Sequence, residues 1–383
     1  MKIAGLLLII TFLVSSVCLS IAYVHYQIET DSSNEEFFFG VSFGGNTTSE
    51  AKLLIDKVKD YTNLFLINSV NIYTNETALN EVCEYAVKAD LKFMVFFDIF
   101  TRRKAFTFRY PWHQTWLDTA KERYGNKFLG VYLFDEPGGK QIDKSMLFAN
   151  ASDYIDAANR FANTISSRME MQYLKNISIP VFTSDYALYW FDYLAGYDTI
   201  FVELGWNHST VQHIALGRGA ANTQGKEWGT IIVWTYYEPP YLASGPQILQ
   251  DALAAYQAGA KYVIVFNYPK YPDTNPYGIL NEEHFTAMRQ FWAYIHRFPR
   301  SAFGKVEGQV ALVLPKDYGW GMRDGNDNIW GIYPTDDLTP QIGQKMAALL
   351  NKYGSKLDII YDDPQFNYTN KYSKIYFWNS AID

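Results

Sequence analysis

The strongest constraint on this chain is an alternation repeated eight times between residues 37 and 299: a short unbroken apolar run, then a stretch with helical spacing. The runs fall at 37–43, 64–67, 91–97, 128–134, 179–182, 199–202, 230–234 and 262–266. Runs without polar alternation are buried on both faces, as parallel strands covered by helices must be. The helical stretches that answer them lie at 49–55, 76–88, 112–123, 151–168, 186–194, 210–221, 246–258 and 282–297. Eight such units in a length near ~250 residues predict a closed (β/α)8 TIM barrel. A doubly wound open sheet is the competing arrangement, but no run is followed by the glycine fingerprint such sheets use for dinucleotides.

Beyond the barrel the pattern restarts. Strands at 310–314, 357–361 and 374–378 and a helix at 339–353 predict a small α/β, Rossmann-like module over 300–383. A long link, 315–338, joins its first strand to its helix and carries Trp320, Arg323 and Trp330; links of that length are often functional. At the other end, Lys2 precedes an uncharged apolar segment, so 1–24 reads as a signal peptide or a signal-anchor helix and 25–36 as a polar tether. Either form places the rest outside the cell or on its surface, attached to the membrane if the segment is uncleaved. Asn46, Asn75, Asn150, Asn176, Asn207 and Asn367 each head an N-x-[ST] sequon, which fits an exported glycoprotein. The two cysteines, Cys18 and Cys83, exclude a disulfide scaffold, and Cys83 reads as a small buried residue on a helix.

Barrels of this class do their chemistry at the C-terminal ends of the strands. The polar residues that follow the apolar runs are Asp98, Asp135, Glu136, Asp185, Glu203, Glu238 and Asn267, nearly all carboxylates. The histidines lack metal-ligand spacing, and neither a G-x-S-x-G elbow nor a phosphate-binding glycine loop occurs. No metal and no cofactor are therefore expected. A net charge of −7 lacks the basic footprint of a nucleic-acid binder. Opposed carboxylates suit cleavage of a glycosidic bond, one protonating the leaving oxygen and the other attacking the anomeric carbon or activating water. Glu136 and Glu238 follow the fourth and seventh runs, across the mouth from one another, and form the expected catalytic pair; Glu203 is the rival nucleophile or an ion-pair partner. Asp98 and Asp185 are expected to hydrogen-bond a substrate or cap loops, and Asp135, Glu203 and Asn267 to contact the substrate. Aromatic residues make up 17% of the chain. Trp206, Trp234, Tyr236, Tyr237, Tyr241, Tyr268, Trp320 and Trp330 fall near strand ends or in the link, and some of these are expected to stack on a carbohydrate.

The segment Leu133-Phe134-Asp135-Glu136-Pro137 resembles the Asn-Glu-Pro motif that ends the fourth strand in clan A retaining glycoside hydrolases. That resemblance implies Glu136 as acid/base. It implies Glu238, in Trp234-Thr235-Tyr236-Tyr237-Glu238-Pro239, as nucleophile. Asp135 stands where the clan usually has asparagine, and its charge would raise the pKa of Glu136. The C-terminal module weakly resembles a truncated form of the amidotransferase-like domain appended to some microbial beta-galactosidases, though it is shorter and has no cysteine nucleophile. The expectation is an exported, glycoside hydrolase-like barrel acting on an extracellular glycan. The alternative is a non-catalytic carbohydrate-binding or cell-surface structural barrel.

Overall fold

The computed structural model describes residues 36–97, 110–271 and 275–382. The strands are β1 (Phe38–Phe43), β2 (Leu64–Ile67), β3 (Lys92–Phe97), β4 (Phe128–Leu133), β5 (Val181–Asp185), β6 (Thr199–Leu204), β7 (Glu227–Ile232) and β8 (Tyr262–Val265). They close in sequence order into a barrel, with β1 pairing in parallel with both β2 and β8. Helices cover the outside, so nearly every strand residue is buried and the apolar runs carry no solvent face.

Residues two apart on a strand share a face. Phe182, Phe201 and Tyr262 meet inside the barrel with ring centroids 5.6–5.7 Å apart and plug it. Two residues further along β5 and β6 stand Ser184 and Glu203, so the layer above the aromatic plug is polar. That layer faces the C-terminal mouth.

Several elements depart from the sequence expectation, and the departures shape the site. A helix over Pro137–Lys144 follows β4 directly; Pro137 occupies its first turn, where the missing N–H removes nothing. The expected helix at 151–168 is divided into Tyr154–Ser166 and Met169–Asn176. Strand β7 begins and ends earlier than expected, at Glu227 and Ile232. Gly229 permits this register, because a Cβ there would meet the Tyr262 Cβ at 2.6 Å.

After the closing helix Glu282–Arg297, strands β9 (Val310–Leu314), β10 (Leu357–Tyr361) and β11 (Lys374–Phe377) form a parallel sheet in the order β10-β9-β11. This sheet docks on the barrel helix Thr210–Gln224. A Cβ on Gly219 would lie 2.7 Å from the Ile359 carbonyl oxygen, so glycine permits the approach. Beside it, buried Arg218 pairs with buried Asp358 at 2.7 Å and also donates to the carbonyls of Val306, Ser355 and Leu357. Trp320 and Trp330 are a correction to the expected cleft aromatics: both are buried. Trp330 packs against Phe148, Phe161 and Phe191 and donates its indole N–H to Asp317. The link thus fills the seam between barrel and module. No helix among the described residues is long and apolar enough to cross a membrane; the segment 1–24 and most of the tether lie outside the described residues.

Candidate active site

The turn after β4 sets the site. Phe134 and Glu136 both take positive φ, 57° and 52°, which bends the chain sharply at Asp135-Glu136 before Pro137 starts the helix. Neither residue type favours that region; tertiary bonds hold it. The Glu136 N–H donates to the Ser184 carbonyl at 3.0 Å, and Thr183 Oγ1 donates to the Phe134 carbonyl. Asp185 completes the clamp. Its carboxylate accepts from the N–H groups of Gly138 (2.5 Å), Gly139 (2.8 Å), Tyr186 (2.8 Å) and Ala187 (3.0 Å). Asp185 is fully buried, and burial lifts its pKa to about 6 against the pull of those four amides. It therefore acts as the loop cap of the two roles expected of it. Gly139 is needed where it stands, because the Tyr186 ring lies about where its Cβ would be.

This clamp brings Asp135 and Glu136 against Glu203 at the end of β6. Each contributes a carboxylate oxygen, and these oxygens all lie within 4.8 Å of one another. Lys140, one helical turn beyond Glu136, reaches back to Asp135 Oδ2 at 3.0 Å, its carbonyl at 2.6 Å and Glu136 Oε2 at 3.4 Å. Burial alone would lower the Lys140 pKa, but Asp135 and Glu136 outweigh it and push it up to about 12. The Lys140 ammonium thus supplies the positive charge against two of the three carboxylates.

Glu136 is half-buried, and burial followed by the Asp135 charge lifts its pKa to about 7, against the pull of Lys140. It is poised to donate a proton near neutrality. Glu203 is only 3% exposed. Burial, then the charges of Glu136 and Asp135, push its pKa well above the usual carboxylate range.

Glu238 lies elsewhere. Because β7 ends at Ile232, Glu238 falls beyond the strand in a loop that folds back on itself: Tyr241 donates to the Glu238 carbonyl, and the N–H groups of Thr235 and Tyr236 donate to the Tyr241 carbonyl. Its side chain is exposed and is not one of the three carboxylates that meet within 4.8 Å. Asn267 is buried and structural in its contacts, its N–H donating to Ser42 Oγ and its Oδ1 accepting from Ile279. Asp98 lies outside the described residues.

The aromatics after β6, β7 and β8 form one shelf. Trp206 and Tyr237 meet at 5.2 Å, and the Trp206 N–H donates to the Trp234 carbonyl. Trp234 in turn meets Tyr241, Phe266 and Tyr268 at 5.0–5.9 Å. Tyr237 is 85% exposed and Tyr236 and Tyr268 are also open to solvent. Sequence reasoning missed Lys140, Tyr132 and Ser184. Lys140 was signalled by its i,i+4 spacing from Glu136, had the helix been read there.

The sequence matches no family model and no curated protein. By shape, the molecule is a (β/α)8 barrel, and solved structures of similar fold include glycoside hydrolases. GH5_18 from Streptomyces cattleya, solved with GlcNAc, matches at a TM-score of 0.54 and 12% identity over 90% of this chain and 99% of its own. GH5_18 from Bifidobacterium longum matches at 0.51 and 11% identity over 90% of this chain and 98% of its own. That share of the chain exceeds the barrel, so the likeness of fold runs on into the C-terminal sheet.

Proposed function

We propose that the chain is an exported glycoside hydrolase that cleaves a glycan at the barrel mouth with retention of configuration. The observation that carries this reading is the meeting of Glu136 and Glu203 at the ends of β4 and β6, with oxygens within 4.8 Å. Retaining enzymes hold their two carboxyl groups about 5–5.5 Å apart, and inverting enzymes about 6.5–9.5 Å apart. In this reading Glu136 protonates the leaving oxygen, Glu203 attacks the anomeric carbon, and Glu136 then takes the proton of the incoming water. Glu203 takes the part that the resemblance assigned to Glu238. Asp135, pinned by Tyr132 and Lys140, is placed to accept a hydrogen bond from a sugar hydroxyl. Trp206, Trp234, Tyr237 and Tyr268 offer flat faces for the C–H side of sugar rings.

Export is supported by the exposure of all six sequon asparagines. A shift in mass on enzymatic removal of N-glycans from the secreted protein tests it; secretion with an unchanged mass would remove the glycoprotein part.

A glycoside panel assayed with the wild type, Glu136→Gln and Glu203→Gln tests the activity. The panel includes N-acetylglucosaminides, since one structure of similar fold was solved with GlcNAc. Hydrolysis lost in both variants supports the reading, and hydrolysis retained in either overturns it. A second reading, a barrel that holds a glycan without cutting it, draws on the deep burial of Glu203, which favours the neutral acid over a nucleophilic carboxylate. Glycan binding by the wild type without turnover on any panel member would favour it.

A further inference from the structure

Asp135 and Glu203 are linked through two hydroxyls that the reaction just described does not use. Tyr132 Oη, from β4, lies 2.8 Å from Asp135 Oδ1. The same Oη lies 2.6 Å from Ser184 Oγ on β5. Ser184 Oγ lies 2.6 Å from Glu203 Oε1 on β6. Tyr132, Ser184 and Glu203 are all buried, so water does not separate them. Each contact is short enough to require a hydrogen between its oxygens. There are three contacts, and the two hydroxyls bring two hydrogens. With both end carboxylates ionised, one contact would press lone pairs together in a site without solvent, which a buried polar network does not tolerate.

We propose that Tyr132 and Ser184 form a proton relay that carries one shared proton between buried Glu203 and half-exposed Asp135. Two arrangements satisfy every contact. In one, Glu203 is the acid: it donates to Ser184 Oγ, Ser184 donates to Tyr132 Oη, and Tyr132 donates to the Asp135 carboxylate. In the other, Asp135 donates to Tyr132, Tyr132 to Ser184, and Ser184 to the Glu203 carboxylate. In both, the Ser184 N–H fills a second acceptor position on Tyr132 Oη at 3.1 Å. Passing between them breaks one O–H bond and forms one at each link. A single proton moves from Glu203 to Asp135, and the total charge is unchanged.

The surroundings bias the two arrangements differently. Burial, then the carboxyls of Glu136, Asp135 and Asp185, disfavour the charge of Glu203. Asp135 instead faces the Lys140 ammonium at 3.0 Å and the opening. The resting proton therefore sits on Glu203. A ligand that displaces Lys140 from Asp135, or adds negative charge at the mouth, draws the proton outward and leaves Glu203 ionised. The existence of the relay does not depend on what the mouth binds. Its use to arm Glu203 for attack rests on the glycoside hydrolase reading.

The test is a carboxyl-carbon NMR titration of the full chain labelled in Asp and Glu side chains, on wild type, Tyr132→Phe and Ser184→Ala. Glu203→Gln and Asp135→Asn assign the two resonances, and circular dichroism establishes that each variant is folded. In the wild type, the Asp135 and Glu203 resonances are expected to respond together in the same steps, as a pair sharing one proton. Their charges still interact within 4.8 Å in the variants, so the pair stays coupled, but breaking either hydroxyl link should shift the apparent steps of both resonances away from those of the wild type. If both resonances titrate in a folded variant as they do in the wild type, the relay is refuted. Because no substrate enters the measurement, a failed relay and a failed glycosidase assignment give different results.

Discussion

Replacing Glu136 with glutamine should make the protein more stable at neutral and alkaline pH while removing the proposed glycoside hydrolysis. The Glu136 carboxyl titrates near 4.5 in the unfolded chain and at about 7 in the folded one, chiefly because burial and the Asp135 charge disfavour the carboxylate. Below pH ~4.5 both states hold the proton and the residue contributes no pH dependence. Between about 4.5 and 7 the unfolded chain releases the proton while the folded chain keeps it, so stability falls as pH rises. Above about 7 the full penalty persists. At about 1.4 kcal/mol per pH unit, the shift corresponds to about 3 kcal/mol. Glutamine keeps the shape without the charge, and Asp135 still holds Lys140. For roughly 350 folded residues the gain is a rise in Tm of about 4 °C at pH 8, shrinking toward zero by pH ~4.5. Thermal unfolding of both proteins across pH 4–8 reads this directly. A difference that stays flat with pH, or that destabilises the variant at pH 8, would refute the claim that Glu136 is held as a proton donor.

Other consequences follow from the same geometry. The hydrolysis rate should fall as pH rises through about 7, because the donor is then ionised; a rate still rising to pH 9 would exclude Glu136 as the acid. Trp206→Ala should weaken glycan binding by about 1 kcal/mol, roughly fivefold, in calorimetric titration, with the fold intact. Arg218→Ala leaves Asp358 buried without its partner, so chemical denaturation should show a loss of about 3–5 kcal/mol; a loss below about 1 kcal/mol would mean the seam is hydrated.

The barrel was legible because its strands are buried on both faces. Such strands read as unbroken apolar runs, and their count alone closes the barrel. The polar end of β4 was equally plain: Asp-Glu-Pro after a buried run leaves two carboxylates that no sheet can absorb. The partner of Glu136 was harder. Glu203 is part of β6, flanked by Val202 and Leu204, and looks like one polar residue in an apolar strand. Glu238 follows its apolar run more conspicuously, but β7 stops at Ile232 and Glu238 is exposed in the loop beyond it. Register within a barrel is set by neighbouring strands and by glycines such as Gly229, which local sequence does not display. Ser184 and Tyr132 were hidden for the same reason: only the barrel parity places them in the layer with Glu203. Trp320 and Trp330 misled in the opposite sense, since aromatics in a long link suit a cleft and a packed seam equally well.

The central claim is that Glu203 faces Glu136 across the scissile bond. Turnover measured side by side for Glu203→Gln and Glu238→Gln on any glycoside the wild type cleaves tests it most directly. The account predicts that Glu203→Gln lowers kcat by more than roughly 10³-fold while Glu238→Gln stays within about threefold of the wild type. The reverse pattern, with Glu238→Gln inactive and Glu203→Gln turning over normally, would contradict it.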